Sequence, residues 1–330
     1  MKKSIRLIGL SLSVLVIAIL VWFIYFNSTH PKVAPAKEIH VIKTPERLER
    51  GKYLANNVCG CIDCHSRRDF SNYSGPIILG TEGMGGEAFD GPKANVPGTI
   101  YAKNITPAGI GDWTDGEVFR AITVGVNKKG EALFPLMPYM HFRFLAQEDL
   151  YSIIAYIRSL KPIENTVPER SLNFPLNLIV KTIPSDIEEP LPAFPDKSNT
   201  LAYGTYMANA AACIDCHTKM EKGQIKPGTE FAGGFTFCLS GRCATSSNLT
   251  PDKETGIGTL TKEAFIEKFN FYRNEKAKNI PVGRGGNNTP MPWTLLSGMT
   301  NEDLGAIYAY LRTLPPITNK VEKFSVEKAK

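Results

Sequence analysis

Hydrophobic residues near the end of each half of this chain recur at helical spacing. The first series is Leu150, Ile153, Ile154, Ile157 and Leu160, and the second is Leu304, Ile307, Tyr308, Leu311 and Leu314. Side chains three and four positions apart lie on one face of an α-helix, so each series predicts a helix with one buried face. Thr300 is a favourable N-cap for the second helix, with Asp303 three residues on, whereas the first helix has Ala146 at that position.

Two further helix starts are visible from their capping residues. Thr114 and Glu117 have the spacing of a capping box, and the apolar residues Val118, Ala121 and Ile122 follow. Pro45 directly after Thr44 is typical of the first position of a helix. The coarse pattern is therefore helical, and we expect an all-α fold.

The N-terminal segment contains a long apolar run. Residues 7–26 carry no charge, and a helix that crosses a bilayer core needs about 20 such residues. The run ends in aromatic residues at 22–26, as at a membrane interface. A cleaved signal peptide is the alternative, but its apolar region is normally shorter and a small-residue cleavage site follows it directly. The nearest such site, at residues 34–36, lies well beyond the run and contains a proline. We therefore expect an uncleaved anchor.

The pentapeptide Cys61-Ile62-Asp63-Cys64-His65 recurs letter for letter at residues 213–217. Cys-x-x-Cys-His is the attachment motif of c-type haem. Cysteines three positions apart lie on one face of a helical turn, so both sulfurs can bond the vinyl groups of one porphyrin while the adjacent histidine points at the iron. Two copies predict two covalently bound haem c groups, attached through Cys61, Cys64, Cys213 and Cys216, with His65 and His217 as iron ligands. A structural zinc site needs four ligands and no trailing histidine, and fits far worse.

Charge and haem attachment together predict which side of the membrane the chain occupies. The net charge is +6, but three of these charges belong to the first six residues, so the rest of the chain gives no support for nucleic-acid binding. Lys2, Lys3 and Arg6 favour a cytoplasmic N-terminus. Because c-type haem is attached outside the cytoplasmic membrane, we expect a single-pass inner-membrane protein with residues from about 30 onward in the periplasm.

An internal repeat organises the rest of the chain. Five blocks match in the same order: residues 51–56 with 204–209, 104–107 with 248–251, 109–111 with 256–258, 137–139 with 291–293, and 148–150 with 302–304. Ordered self-similarity of this kind indicates a tandem duplication. A proline-rich stretch separates the two copies and predicts an extended linker. The expected organisation is a membrane anchor at 1–29, a first domain at 30–160, a linker at 161–200 and a second domain at 201–330.

Each haem iron has a sixth coordination position, and its occupant decides between an electron carrier and a catalyst. Methionine gives a closed iron of high potential. The candidates in the first half are Met137, Met140 and His141, and the repeat favours Met137 because it aligns with Met291. Both are followed by proline and an aromatic residue and precede the last helix. In the second half, Met299 lies too close to that helix to compete.

Three cysteines remain outside the two motifs. Cys238 and Cys243 share one loop that has no cysteine counterpart in the first half, and in an oxidising compartment their spacing predicts a local disulfide. Cys59 lies two residues before Cys61 and cannot serve as an attachment cysteine in that register. A buried thiol or a competitor for disulfide pairing are the two alternatives for it.

In combination, the two Cys-x-x-Cys-His motifs and the repeated blocks around them resemble the cytochrome c subunits of membrane-bound alcohol, aldehyde and gluconate dehydrogenases. The resemblance covers residues 45–317 and implies tandem class I cytochrome c folds with histidine and methionine on each iron. It assigns His65 and His217 as proximal ligands, Met137 and Met291 as distal ones, and Trp113 as a neighbour of the haem edge. The second half has Leu260 where the first has Trp113, and those subunits typically carry three haems where this chain has two motifs.

Three functions are compatible with these residues. The first is a membrane-tethered dihaem carrier, with a dehydrogenase, another cytochrome or a terminal oxidase as redox partner, whose anchor keeps it close to those partners. The second is a dihaem peroxidase, which needs an open iron and acid–base groups above it. Each half offers a methionine, and five histidines leave few spare ones, which favours the carrier. A redox sensor is a third reading, but only about six residues precede the apolar run on the cytoplasmic side.

Overall fold

The computed structural model describes residues 2–94, 96–221, 223–239 and 241–327. The helices are α1 Lys2–Ser28, α2 Pro45–Tyr53, α3 Cys61–Cys64, α4 Gly91–Ala94, α5 Pro107–Ile110, α6 Asp115–Thr123, α7 Tyr139–Phe142, α8 Gln147–Ile157, α9 Leu176–Ile179, α10 Thr200–Ala210, α11 Cys213–Cys216, α12 Lys262–Asn270, α13 Glu275–Lys278, α14 Trp293–Leu296 and α15 Asn301–Leu311. The strands are β1 Ala88–Asp90, β2 Gly98–Tyr101, β3 Ser171–Leu172, β4 Met220–Glu221, β5 Gln224–Ile225, β6 Thr236–Leu239, β7 Arg242–Thr245 and β8 Phe324–Val326.

The prediction of an all-α fold is wrong. Helices account for 39% of the residues and strands for 10%, so the structure is mixed. Antiparallel pairing joins β1, β2 and β3 in one sheet, β4 and β5 in a second, and β6, β7 and β8 in a third. These strands are two to four residues long, and such short strands offer too few positions for an alternating pattern to be seen in the sequence.

The hairpin of β6 and β7 contains the predicted disulfide. Cys238 lies directly opposite Cys243 in the strand register, and the two form a disulfide bond. Two residues connect the strands, and Gly241 among them has a φ of 81°, as tight hairpin turns require. Cys59 is a buried free thiol, so the disulfide expectation is confirmed and Cys59 does not compete for it.

The helices predicted from apolar spacing and capping residues are confirmed. The side chain of Thr114 accepts from Glu117 N in a complete capping box at α6, and that of Thr44 accepts from Arg47 N at α2. At α15 the Thr300 side chain accepts from the backbone nitrogen of Asp303. Ala146 precedes α8 without a side-chain cap, as expected for alanine.

Matching glycines allow matching helix pairs to pack closely. Helix α2 packs on α8 in the first half, and α10 packs on α15 in the second. A Cβ at Gly51 would lie 1.8 Å from the backbone oxygen of Ser152, and one at Gly204 would lie 2.0 Å from that of Ala306. No side chain fits at those distances, so the glycine of the 51–56 and 204–209 blocks is required by helix packing.

Two tyrosine–aspartate hydrogen bonds join the two halves. The hydroxyl of Tyr53 in the first half donates to Asp303 in the second, and Tyr206 in the second donates to Asp149 in the first at 2.6 Å. In the repeat, Tyr53 corresponds to Tyr206 and Asp149 to Asp303. The two bonds are therefore equivalent by an approximate two-fold relation, the geometry of a self-complementary interface.

The same two hydroxyls also cap helices across the interface. Tyr53 accepts from the backbone nitrogen of Thr300 at 3.1 Å, and Tyr206 accepts from that of Ala146 at 3.1 Å. Each tyrosine hydroxyl thus provides a hydrogen-bond acceptor for the backbone N–H of the residue directly before the last helix of the other half. Buried residues from both halves accordingly form one continuous hydrophobic core.

Candidate functional site

Each predicted attachment motif forms one helical turn. The turns are α3, Cys61–Cys64, and α11, Cys213–Cys216. A residue in the left-handed conformation precedes each of them: Gly60 with a φ of 67° and Ala212 with a φ of 48°. One turn of helix places residues three apart on the same side, which is the arrangement that two thioether bonds to one porphyrin need.

The two motif histidines make equivalent hydrogen bonds. His65 Nδ1 is 2.6 Å from the carbonyl oxygen of Lys103, and His217 Nδ1 is 2.8 Å from that of Ser247. Because a carbonyl can only accept, Nδ1 carries the proton in both rings. The Nε2 lone pair therefore remains free to bind a metal, and the hydrogen bond at Nδ1 fixes the orientation of the ring.

The same surroundings keep both imidazoles neutral. Burial lowers the pKa of His65 by more than its hydrogen bond to Lys103 raises it. Burial likewise lowers the pKa of His217 by more than the hydrogen bond to Ser247 raises it. A neutral imidazole is the form that binds iron, so each ring is in the protonation state its predicted role requires.

Two glycines that were not predicted as site residues hold the backbone of these histidines. Gly85 N donates to the backbone oxygen of His65 at 2.8 Å, and Gly233 N donates to that of His217 at 2.7 Å. Their φ values are 72° and 73°, and a Cβ on either would lie within 2.6 Å of backbone atoms of the neighbouring segment. Each begins a Gly-Gly pair downstream of its motif, which is the sequence signal that identifies them.

The repeated Asn-x-Thr-Pro block fixes the carbonyls that orient the histidines. Asn104 Oδ1 accepts from the nitrogen and the hydroxyl of Thr106 at 2.9 and 2.7 Å. Asn248 Oδ1 accepts from the same two groups of Thr250 at the same distances. All four side chains are buried. Since the orienting carbonyl comes directly before each asparagine, the block acts as a rigid support for the histidine.

The predicted methionine ligands occupy equivalent positions. Met137 lies two residues before α7 and Met291 two residues before α14. Their backbone oxygens accept from Tyr139 N and Trp293 N, in each case at 2.8 Å. Both side chains pack against the hydrophobic core that also contacts the first cysteine of each motif. The alternative Met140 is 41% exposed, which suits it less to a buried ligand position.

His141, the other alternative ligand, is engaged with the second half. Its Nε2 is 2.7 Å from Asp215 Oδ1, and its Nδ1 is 2.8 Å from Asn209 Oδ1. Asn209 Nδ2 donates to the backbone oxygen of His141 at 3.0 Å, which fixes the orientation of the amide. Both ring nitrogens therefore donate to oxygens, and neither has a free lone pair for iron.

The identical motifs thus have different electrostatic surroundings. Asp63 in the first motif pairs with Arg68 at 3.0 Å, in a position where both side chains are buried. Asp215 in the second motif pairs with His141 from the other half, and its side chain is 42% exposed. The His141 contact connects the segment after Met137 directly to the second attachment turn.

The His141 contact predicts a pH-dependent contribution to stability. Burial alone lowers the pKa of His141, but the hydrogen bond and charge of Asp215, with Asn209, outweigh burial and raise it. A raised folded-state pKa stabilises the fold below the unfolded value, about 6.5, and this contribution is lost as the pH rises through the folded value. We expect His141→Gln to remove about 1 kcal/mol of stability at pH 5.5 and less at pH 8.5, because Asp215 is partly solvated.

Thermal unfolding of the wild type and His141→Gln at both pH values measures this effect. His40→Gln is the matched control, because it makes the same substitution at an exposed histidine. An equal difference in melting temperature between wild type and His141→Gln at the two pH values would contradict the assigned protonation.

The thiol of Cys64 lies in surroundings that disfavour its ionised form. Cys64 and Cys216 are open to solvent at their surfaces, yet the surrounding protein desolvates the thiol of Cys64 and raises its pKa to about 12. Asp63 and the Cys216 thiol add to this effect through their charges.

The relatives of this chain confirm the resemblance seen in its motifs. The chain is 27% identical over 284 residues to the cytochrome c subunit of the alcohol dehydrogenase (quinone) of Gluconacetobacter polyoxogenes, covering 82% of this chain and 56% of that subunit. It is 28% identical over 285 residues to the gluconate 2-dehydrogenase cytochrome c subunit of Pantoea cypripedii, covering 81% and 59%. No protein-family model matches the chain.

The chain matches a different share of each relative's length. The chain spans 56% of the length of the alcohol dehydrogenase subunit. It spans 83% of a diheme cytochrome c-type protein of Cereibacter sphaeroides, with 25% identity over 272 residues and 78% of this chain covered. The match therefore covers a larger share of the diheme cytochrome c-type protein than of the dehydrogenase subunits.

Proposed function

We propose that this protein is a membrane-anchored dihaem c-type cytochrome that carries electrons between a periplasmic dehydrogenase, or another donor, and the respiratory chain. One observation carries the proposal: two identical Cys-x-x-Cys-His turns each present two thiols and an imidazole whose Nδ1 hydrogen bond leaves Nε2 free. This donor set fits covalently attached haem c in both halves.

In this proposal the chain's own residues attach each haem covalently, orient it and occupy both axial positions of its iron. Cys61 and Cys64 attach the first group, His65 binds one side of its iron, and Met137 binds the other. Cys213, Cys216, His217 and Met291 have the corresponding roles in the second half. Each haem supplies a one-electron iron couple, and a thioether ligand favours the ferrous state and a high potential.

The domain organisation predicted from the repeat forms part of this proposal. Residues 30–160 and 201–330 each contain one attachment turn, one asparagine support and one methionine segment. Residues 161–200 connect them. The interface of reciprocal tyrosine–aspartate bonds supports a single rigid body in which the two attachment turns keep a fixed separation, as a dihaem carrier requires.

The N-terminal helix supports attachment to a membrane. Among the described residues, the segment Ile8–Phe26 within α1 is long and apolar enough to cross a bilayer, with a mean hydropathy of 2.6 and none of it buried against the protein. A signal sequence has the same properties, and we propose the anchor because of the length and flanks of the apolar run. An anchored carrier stays at high effective concentration near its partners.

The relatives support a redox protein partner. Those named as cytochrome subunits belong to alcohol, gluconate and fructose dehydrogenases. We propose that this chain receives electrons from a dehydrogenase of this general kind and passes them to a cytochrome or terminal oxidase. Electron transfer, rather than catalysis of substrate oxidation, is the role that a cytochrome subunit has in such a complex.

A spectroscopic test separates the carrier from the alternative of a dihaem peroxidase. For a carrier with two closed irons we expect a ferric spectrum that is entirely low-spin, a methionine-to-iron charge-transfer band at the red end, and no turnover of hydrogen peroxide. Measurement of the ferric spectrum together with peroxide consumption by the purified protein decides between them. High-spin haem with peroxide turnover would reject the carrier in favour of the enzyme.

A further inference from the structure

The segment that follows the first attachment turn reaches across to the methionine segment of the second half. Ser74 is fully buried, and its hydroxyl donates to the backbone oxygen of Met291 at 2.6 Å. The same hydroxyl accepts from the backbone nitrogen of Trp293 at 2.9 Å. A single side chain from the first half therefore holds both ends of the Met291-Pro292-Trp293 tripeptide.

Ser74 is itself held in an unusual conformation. Its φ is 68°, in the left-handed region that residues with a side chain rarely adopt. Its backbone nitrogen donates to Asn288 Oδ1 at 2.9 Å, and Asn288 Nδ2 donates to the carbonyls of Phe70 and Asn72 at 2.9 and 3.2 Å. Asn288 is 8% exposed, so these bonds are shielded from water. Such strain persists where the surroundings determine the conformation strongly.

Arg68 connects Ser74 to the first attachment turn. One guanidinium nitrogen pairs with Asp63 at 3.0 Å, and two others donate to the backbone oxygens of Ser74 at 2.5 Å and Gly75 at 2.7 Å. Asp63 lies between the two cysteines of the first motif. A continuous set of buried polar contacts therefore runs from the first haem attachment turn to Met291.

Backbone contacts reinforce this connection. Tyr73 N donates to Ile280 O at 2.8 Å, and Val282 N donates to Ser71 O at 2.7 Å. The rings of Tyr73, Tyr272 and Trp293 also stack in succession. The segment directly before Ser74 is thus fixed to the second half by its backbone and by the ring of Tyr73.

Met137 has no equivalent support among the described residues. Its backbone oxygen accepts from Tyr139 N, but no side chain of the other half hydrogen-bonds to it in the described ranges. The segment carrying Ser74 is also longer than its counterpart: matching hydrogen bonds join Ser66 to Gly83, 17 positions apart, and Thr218 to Phe231, 13 apart. Within the described ranges, the Ser74 contact therefore supports the second methionine segment and has no counterpart at the first.

We propose that Ser74 is a positioning residue that holds Met291 at the distance and angle required to bind the second haem iron. This inference rests on the proposed function, because it takes Met291 as the iron ligand. The hydroxyl fixes the backbone on both sides of Met291, and loss of that restraint lets the thioether leave the iron more readily.

The variants Ser74→Ala and Ser74→Gly test the proposal. Both remove the hydroxyl, and glycine also accepts the left-handed conformation, so Ser74→Gly isolates the hydrogen bonds from backbone strain. Ser71→Ala is the matched control, because the Ser71 hydroxyl donates to Asp69 within the same segment and, among the described residues, to no group of the second half. The readouts on the full-length holoprotein are the shifted methionine methyl signals in the proton NMR spectrum of the ferrous state, the two reduction potentials and the binding of carbon monoxide.

We expect the Ser74 variants to shift or broaden one of two methionine signals, to lower one reduction potential, and to let carbon monoxide bind at one haem, with Ser71→Ala unchanged. Met291→Ala identifies which signal belongs to Met291. If Met291→Ala removes a signal but both Ser74 variants retain it with unchanged potentials, the positioning role is rejected and the proposed function stands. If Met291→Ala leaves both signals intact, Met291 is not an iron ligand. That result rejects the ligand assignment in the proposed function and, with it, the positioning role of Ser74.

Discussion

Replacement of Cys213 and Cys216 with serine is expected to reduce the covalently bound haem from two groups to one per chain. Serine cannot form thioether bonds, and α11 holds no other thiol that could replace them. The remaining Cys61 and Cys64 keep the first group attached. Intact mass under denaturing conditions, together with the haem absorbance per mole of protein, measures the change in protein from a host that matures c-type cytochromes.

The matched control is the double variant Cys238→Ser with Cys243→Ser. It changes the same number of cysteines to serine but removes only the disulfide of the β6–β7 hairpin, so two haems should remain. Retention of two covalent haems in the Cys213/Cys216 variant, or loss of one in the disulfide variant, would contradict the assignment of attachment sites.

Met137→Ala and Met291→Ala are each expected to open one of the two irons. Each variant should lose about half of the methionine-to-iron charge-transfer band, gain high-spin ferric haem and show a lower potential for one couple. The potential falls because the thioether stabilises ferrous iron, and axial ligands set haem potentials over a range of roughly 0.8 V. Ferric spectra and a potentiometric titration of each variant measure both effects.

Met140→Ala is the control for the first half. Met140 is three residues from Met137 and is exposed, so its removal should leave the band and both potentials unchanged. If Met140→Ala rather than Met137→Ala removes half of the band, the alignment of the repeat has assigned the wrong methionine.

Local signals in the sequence predicted much of the helical structure. The capping box of Thr114 and Glu117, the N-cap at Thr300 and the proline after Thr44 all occur where expected. The Cys238–Cys243 disulfide was also predictable, because both cysteines lie in one short loop. Each of these features depends on residues close together in the chain, so short-range spacing is sufficient to find it.

The strands and the interface between the halves were not predictable in the same way. Strand β2 pairs with β3 although some seventy positions separate them, and no spacing within either segment marks the pairing. The tyrosine of the 51–56 block was visible as a repeated residue, but that Tyr53 contacts Asp303 of the other half depends on how the two copies pack. Long-range contacts of this kind follow from the complete fold.

The residues of the candidate site also differ in whether the sequence alone predicts them. The attachment residues follow from the motif alone, and the repeat distinguishes Met137 from its neighbours by alignment. Two supports of the site, the Lys103 carbonyl and the Ser74 hydroxyl, are recognised only from geometry. The first is a backbone atom that any residue could supply, and the second acts on the other half of the chain, so no local spacing marks either. The Gly-Gly pairs are the exception, since both copies carry them.

The central claim is that both halves of this chain carry a covalently attached porphyrin. The most direct measurement is the intact mass of the wild-type protein after denaturation, because denaturation releases any haem that is not covalently attached. Two added haem masses on every chain are the predicted result. A mass corresponding to one haem or none, in protein from a host with a functioning attachment pathway, would contradict the account.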